Sequence, residues 1–201
     1  MALHTADPPI PAYEAVRSLL TRLAAEAGFR TPNLRRTPAA SLALSTPHRF
    51  AVLPLDRLRR GGALQSIAEV KGWRFLLHDG KRVIAAADAQ LTPKGDYQFG
   101  QINEGPFTVA TEEAIRRAEA DKELGKGRFE PVLLLVPALY VVALWLQDLD
   151  GKHDRVMVMP PAPGDLAPYR PLPAEEFMAV LKKLAAAVPP EAPKGKSPSG
   201  G

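Results

Sequence analysis

Residues 73–90 read WRFLLHDGKRVIAAADAQ, two strand-like runs either side of Asp79-Gly80. Glycine adopts positive φ at no steric cost and aspartate bonds its own backbone, so this dipeptide between apolar runs predicts a β-hairpin. A second hairpin is predicted from LYVVALWLQ (139–147) and RVMVM (155–159), which flank a longer loop containing Asp150-Gly151. Between them YQFGQIN (97–103) reads as a further strand, with Tyr97 and Phe99 on one face.

Three helices surround these strands. Over residues 11–27, Tyr13, Val16, Leu20, Leu23 and Ala27 recur at helical spacing, with Pro11 in the first turn and Gly28 as the stop. Thr111 is positioned to cap a helix over 111–124, with Glu112 and Glu113 in its first turn and Gly125 at its end. Phe177, Val180, Leu181, Leu184 and Val188 mark the last helix, over 174–188. Helices and hairpins therefore alternate, where crossover helices would join single parallel strands. The expected fold is α+β: an antiparallel sheet of two or three hairpins, helices packed on one face, and a helix at each end.

The 46% hydrophobic and 24% charged content is that of a globular core, and 201 residues suit one domain. That domain is expected over 11–188, after a flexible 1–10 and before a Pro, Gly, Lys and Ser tail at 189–201 that is expected to be disordered. Within it, residues 29–50 contain three Thr-Pro pairs and read as an extended, Arg-rich arm.

Cysteine is absent, which removes disulfides, thiolate metal sites and thiol nucleophiles. With no basic and apolar leader at the start, a cytoplasmic location is expected. Residues 131–146 are uncharged but shorter than the roughly 20 residues of a spanning helix. They also contain Pro137 and many β-branched residues, so buried strand is expected and no membrane span.

The basic charge is uneven. Residues 1–60 hold nine Arg against four acids, and the remainder 17 Lys and Arg against 18 acids. Arg35 and Arg36 are the candidates to meet an acidic partner or phosphates, although such a cluster is commonly a solvated face.

Catalytic signatures are missing. The histidines His4, His48, His78 and His153 form no metal-ligand spacing, so no metal is expected. His78-Asp79 and His153-Asp154 are acid-base pairs only if the hairpin tips meet. Gly125-Lys126-Gly127 lacks the spacing of a phosphate loop, and no serine sits in a nucleophile elbow. No cofactor is expected and no catalytic residue is assigned. Asp88, Glu104 and Asp148 remain the carboxylates whose convergence in the fold would make an acid-base pair.

The most unusual stretch is GDYQFGQINEGPF (95–107), where Tyr97, Phe99, Gln101, Asn103 and Glu104 combine aromatic walls with orienting polar groups. With Arg35 and Arg36 these are the candidate binding residues. They point to a non-enzymatic binding or interaction module with a protein partner. The alternatives are a small-molecule-binding protein or enzyme using 95–107, or a nucleic-acid binder using the N-terminal arginines.

Overall fold

Strands covered on both faces need near-continuous apolar runs, and the segments WRFLL and VLLLV have that character. The computed structural model describes residues 3–26, 28–151, 153–164 and 166–189, with backbone alone at Ala39. Eight strands form one sheet: β1 (Ala43–Val52), β2 (Glu69–His78), β3 (Val83–Leu91), β4 (Tyr97–Asn103), β5 (Phe129–Val136), β6 (Val141–Asp148), β7 (Arg155–Val158) and β8 (Pro171–Pro173). Their order is β4-β3-β2-β1-β5-β6-β7-β8. Every neighbouring pair is antiparallel except β1 and β5, which run parallel at the centre.

The helices are α1 (Ile10–Ala25), α2 (Pro32–Arg36), α3 (Leu55–Arg60), α4 (Leu64–Ile67), α5 (Pro106–Ala120) and α6 (Ala174–Ala187). Each half of the sheet is thus a four-stranded meander closed by a helix, β1 to β4 by α5 and β5 to β8 by α6. Arg49 stitches the halves, donating from Nε to Glu130 and from Nη2 to Gln147, each at 2.7 Å.

Residue alternation along the central strands assigns the helices to layers. Val132, Leu134, Val141, Ala143 and Trp145 pack with Phe177 and Leu181 of α6. The intervening Leu133, Leu144 and Leu146 pack with Ala114, Ile115 and Ala118 of α5. Successive strand side chains point to opposite faces, so α5 and α6 lie on opposite sides of the sheet. Register links Trp73 through Arg49 to Val132, which sets α1 on the α6 side, packed chiefly over β4 and β3, with the Tyr13 ring edge-on to that of Phe75. Helices on both faces replace the single helical layer expected from sequence. A fully buried leucine such as Leu133 or Leu144 contributes roughly 2 kcal/mol through the area it removes from water.

Four further boundaries change. The arm expected over 29–50 contains α2 and most of β1, an internal strand. Pro47 is accommodated because the β1/β2 register shifts between Ser45 and His48, with Thr46 at φ 46°, so its missing N–H falls inside a bulge. The helix expected from Thr111 starts at Pro106; Thr111 is buried within it and donates to the Phe107 carbonyl at 2.7 Å. The run at 131–146 makes a third hairpin, β5 and β6, joined by a 3₁₀ turn at Pro137–Leu139. At the start of the chain, where a flexible run was expected, Leu3 is buried and the His4 N–H donates to Phe129 O at 2.7 Å. The tail after residue 189 lies outside the described residues. Among those described, no helix is long and apolar enough to cross a membrane.

The Asp79-Gly80 turn forms as read. Gly80 takes φ 90°, and the Asp79 carboxylate accepts from the Lys81 and Arg82 amides at 2.9 and 3.0 Å.

Candidate functional site

The stretch singled out at 95–107 forms β4, an edge of the sheet. It pairs only with β3, and among the described residues its backbone makes no bond to other backbone beyond that ladder. Edges are usually blunted by charge, proline or cover. Here seven consecutive residues, YQFGQIN, carry neither charge nor proline.

One irregularity shapes the strand. Asp88 faces Gln101 and Ala89 faces Phe99, which leaves Gly100 as an extra, bulged residue. The bulge lets Phe99 and Ile102, three residues apart, both turn toward α1 and join Tyr97 there, each half-buried. A side chain at Gly100 would come within 2.8 Å of Gln90.

On the opposite face a line of polar side chains crosses four strands. Gln101 donates to Asp88 Oδ2 at 2.9 Å. Asp88 also accepts from Arg74 Nε and Nη2 at 2.6 and 2.7 Å, a two-pronged pair. Arg74 stands opposite His48 across β1 and β2, and its guanidinium lies 5.8 Å from the Phe50 ring centre. His48, Arg74 and Asp88 are all buried. Three donors around one carboxylate tie β4 to the sheet interior.

His48 is chemically distinct. Its Nδ1 donates to the Thr46 carbonyl at 2.7 Å, and its Nε2 is buried without a partner. Burial pushes its pKa from 6.5 down to about 4, with the Arg74 charge adding to the shift and the Thr46 carbonyl and Asp88 opposing it. In the unfolded chain His48 gains a proton as pH falls below 6.5, and in the fold it does so only near 4. Stability is therefore full above pH 6.5 and is lost progressively between 6.5 and 4, by about 3 kcal/mol in all. Between pH 6.5 and 5, the stability of His48→Gln is expected to fall less steeply than that of the parent, by up to ~1.4 kcal/mol per pH unit. Urea unfolding across this range checks it, and parallel slopes would contradict it.

At the far end of β4, Glu104 reaches back to the arm. Its carboxylate accepts from the Asn33 and Leu34 amides, at 3.1 and 2.9 Å, and so caps α2 from 70 residues away. Leu34 and Phe29 are buried against the layer that holds Phe99 and Ile102. Arg35 and Arg36 are thereby presented on the surface beside the end of β4. Of the seven candidate residues, the fold gathers Glu104, Arg35 and Arg36 at one place. Gln101 belongs to the polar line, and the Asn103 carbonyl accepts from Thr108 Oγ1 at 3.4 Å.

The other candidate groups have separate engagements. Asp154 accepts from Trp145 Nε1, Gln65 Nε2 and the Asp148 amide, at 2.7, 3.0 and 2.9 Å. Asp148 accepts from the Asp150 and His153 amides. Asp88, Glu104 and Asp148 therefore serve three different sets of partners. The β2–β3 and β6–β7 turns have β1 and β5 between them, and His78 meets Glu112 of α5 at 4.0 Å. Among the described residues no three His, Asp or Glu side chains are placed to hold a metal. Two hollows lie elsewhere: about 440 Å³ between α4, the β6–β7 turn and α6, and about 630 Å³ between α1 and the start of β1.

Sequence reasoning missed His48, Arg74 and Asp88 as a unit. Hairpin register offered a signal, because Arg74 and Asp88 are the charged residues that fall opposite each other within two apolar strands. Compared with protein-family models, curated proteins and solved structures, the chain matches none.

Proposed function

We propose that this protein is a non-enzymatic interaction module that takes up an extended segment of a cytoplasmic partner protein as an added strand on β4. The observation that carries this reading is an edge strand of seven residues with no charge or proline, whose backbone, among the described residues, bonds to no other backbone than that of β3. Such an edge offers main-chain donors and acceptors to an incoming strand, and flanking side chains supply selectivity. The polar line behind β4 supports the same reading. It holds the edge to the sheet through Gln101, Asp88 and Arg74, so the ladder is pre-formed. Its carboxylate is saturated by three donors and buried, an arrangement suited to rigidity and poorly suited to proton transfer.

A photo-crosslinking amino acid at Gln98, exposed on β4, tests this in cells of the source organism. The expected result is a discrete adduct with another protein at Gln98 and none at Glu176, a similarly exposed position on α6. No adduct at Gln98, or the same adducts at both positions, would refute strand addition on this edge.

A further inference from the structure

The two ends of β4 differ in charge, and this bears on what the guest strand must carry. The first six decades of the chain hold nine arginines, and the fold accounts for most of them. Arg17, Arg49, Arg57 and Arg60 are paired with Glu14, Glu130, Glu69 and Asp56. Arg59 donates to the Ala185 and Val188 carbonyls at the end of α6. Arg22, on α1, is exposed without a side-chain partner among the described residues, and so are the three that follow it, Arg30, Arg35 and Arg36. All three adjoin the buried anchors Phe29 and Leu34, and α2 is pinned to the end of β4 by Glu104. The Glu104 carboxylate is itself committed to the α2 amides. At the opposite end, Lys94 and Asp96 balance one another.

We infer that the guest strand carries acidic side chains at the end that lies beside α2, where Arg35 and Arg36, with Arg30, receive them. The inference rests on strand addition at β4. Arginine forks suit carboxylates, and a charge pair at the rim of a backbone ladder fixes register and speeds encounter. A second copy of this chain is a poorer guest. Paired antiparallel, it sets its neutral Lys94 and Asp96 end against the arginines and leaves them unanswered. Single-stranded nucleic acid is a poorer guest too, because Tyr97 and Phe99 turn toward α1, where bases cannot stack on them.

The test uses the full chain and fluorescent nonapeptides of alternating Thr and Val. One carries two Glu at its N-terminus, another two Glu at its C-terminus, so that either strand direction brings acid to α2, and controls carry Lys instead. At least one Glu peptide is expected to bind at least tenfold tighter than its Lys counterpart. That preference is expected to vanish in the Arg35→Ala/Arg36→Ala protein and to shrink at high salt. N-methylation of alternate peptide amides is expected to abolish binding. Equal binding of Glu and Lys peptides that N-methylation still abolishes would overturn the charge inference and leave strand addition standing. Arginine-dependent binding that survives N-methylation would overturn strand addition and with it the guest strand, leaving only an acidic ligand held by the arginines. Failure of every peptide to bind, tighter arginine-dependent binding of an oligothymidine, or a dimer by light scattering would each overturn the inference.

Discussion

Gly72→Ala is expected to lose ~3 kcal/mol or more of stability, a large share of the whole for a domain of this kind. Gly72 lies in β2 at φ 150°, and a Cβ there would sit 2.0 Å from the Ala89 carbonyl oxygen and 3.0 Å from the Ala89 carbonyl carbon. Those are backbone atoms of the paired strand, so no rotamer change relieves the clash. The only escape is to part β2 from β3, on which α1 and the polar line depend. Gly80→Ala is the control. It shares a positive φ of 90° but has nothing within 4 Å, so it carries only the backbone strain of about 1–2 kcal/mol. Urea unfolding of the two variants separates the causes, and equal midpoints would show that β2 and β3 do not approach so closely.

The second large effect is expected at the Arg74 and Asp88 pair. Arg74→Met and Asp88→Asn each leave one buried partner without its counterpart, at a cost of roughly 3–5 kcal/mol. Asp88→Asn weakens the two charge-assisted bonds from Arg74 together with the one from Gln101. The double variant Arg74→Met/Asp88→Asn removes both charges, and its loss of stability is expected to be clearly smaller than the two single losses added together. Single variants within ~1 kcal/mol of the parent, or a double variant equal to their sum, would contradict a coupled buried pair.

Much of the local architecture was legible. The β2–β3 hairpin, the extent of β4 and the last helix follow from turn chemistry and periodicity. What escaped was what no short window contains. The parallel pairing of β1 with β5 joins segments nearly eighty residues apart, and nothing in either sequence names the other. β1 was also masked by its own chemistry, since Thr46-Pro47 looks like a strand breaker until the bulge absorbs it. The helix was expected from Thr111, yet proline belongs naturally in the first turn of a helix, and α5 begins at Pro106. The second helical layer had left a trace. WRFLL and VLLLV do not alternate between polar and apolar residues, and a strand solvated on one face would.

The candidate residues were legible in part. Composition drew attention to 95–107 and to Arg35 and Arg36, and the fold places Arg35 and Arg36 beside one end of β4. The roles of individual residues were not readable. Glu104 spans 70 residues to cap α2, and that bond is invisible until both ends are placed. His48, Arg74 and Asp88 are ordinary residues taken singly. They become a unit only through the register of three strands.

The central parallel pair also matters for how the chain is made. A ribosome delivers β1 to β4 and α5 before β5, at about 5–20 residues per second. For those seconds β1 is itself an open edge, and Phe50 and Ala51 lack the leucines of β5 that later cover them. The nascent half-sheet therefore carries an adhesive flank that its own downstream sequence must claim first.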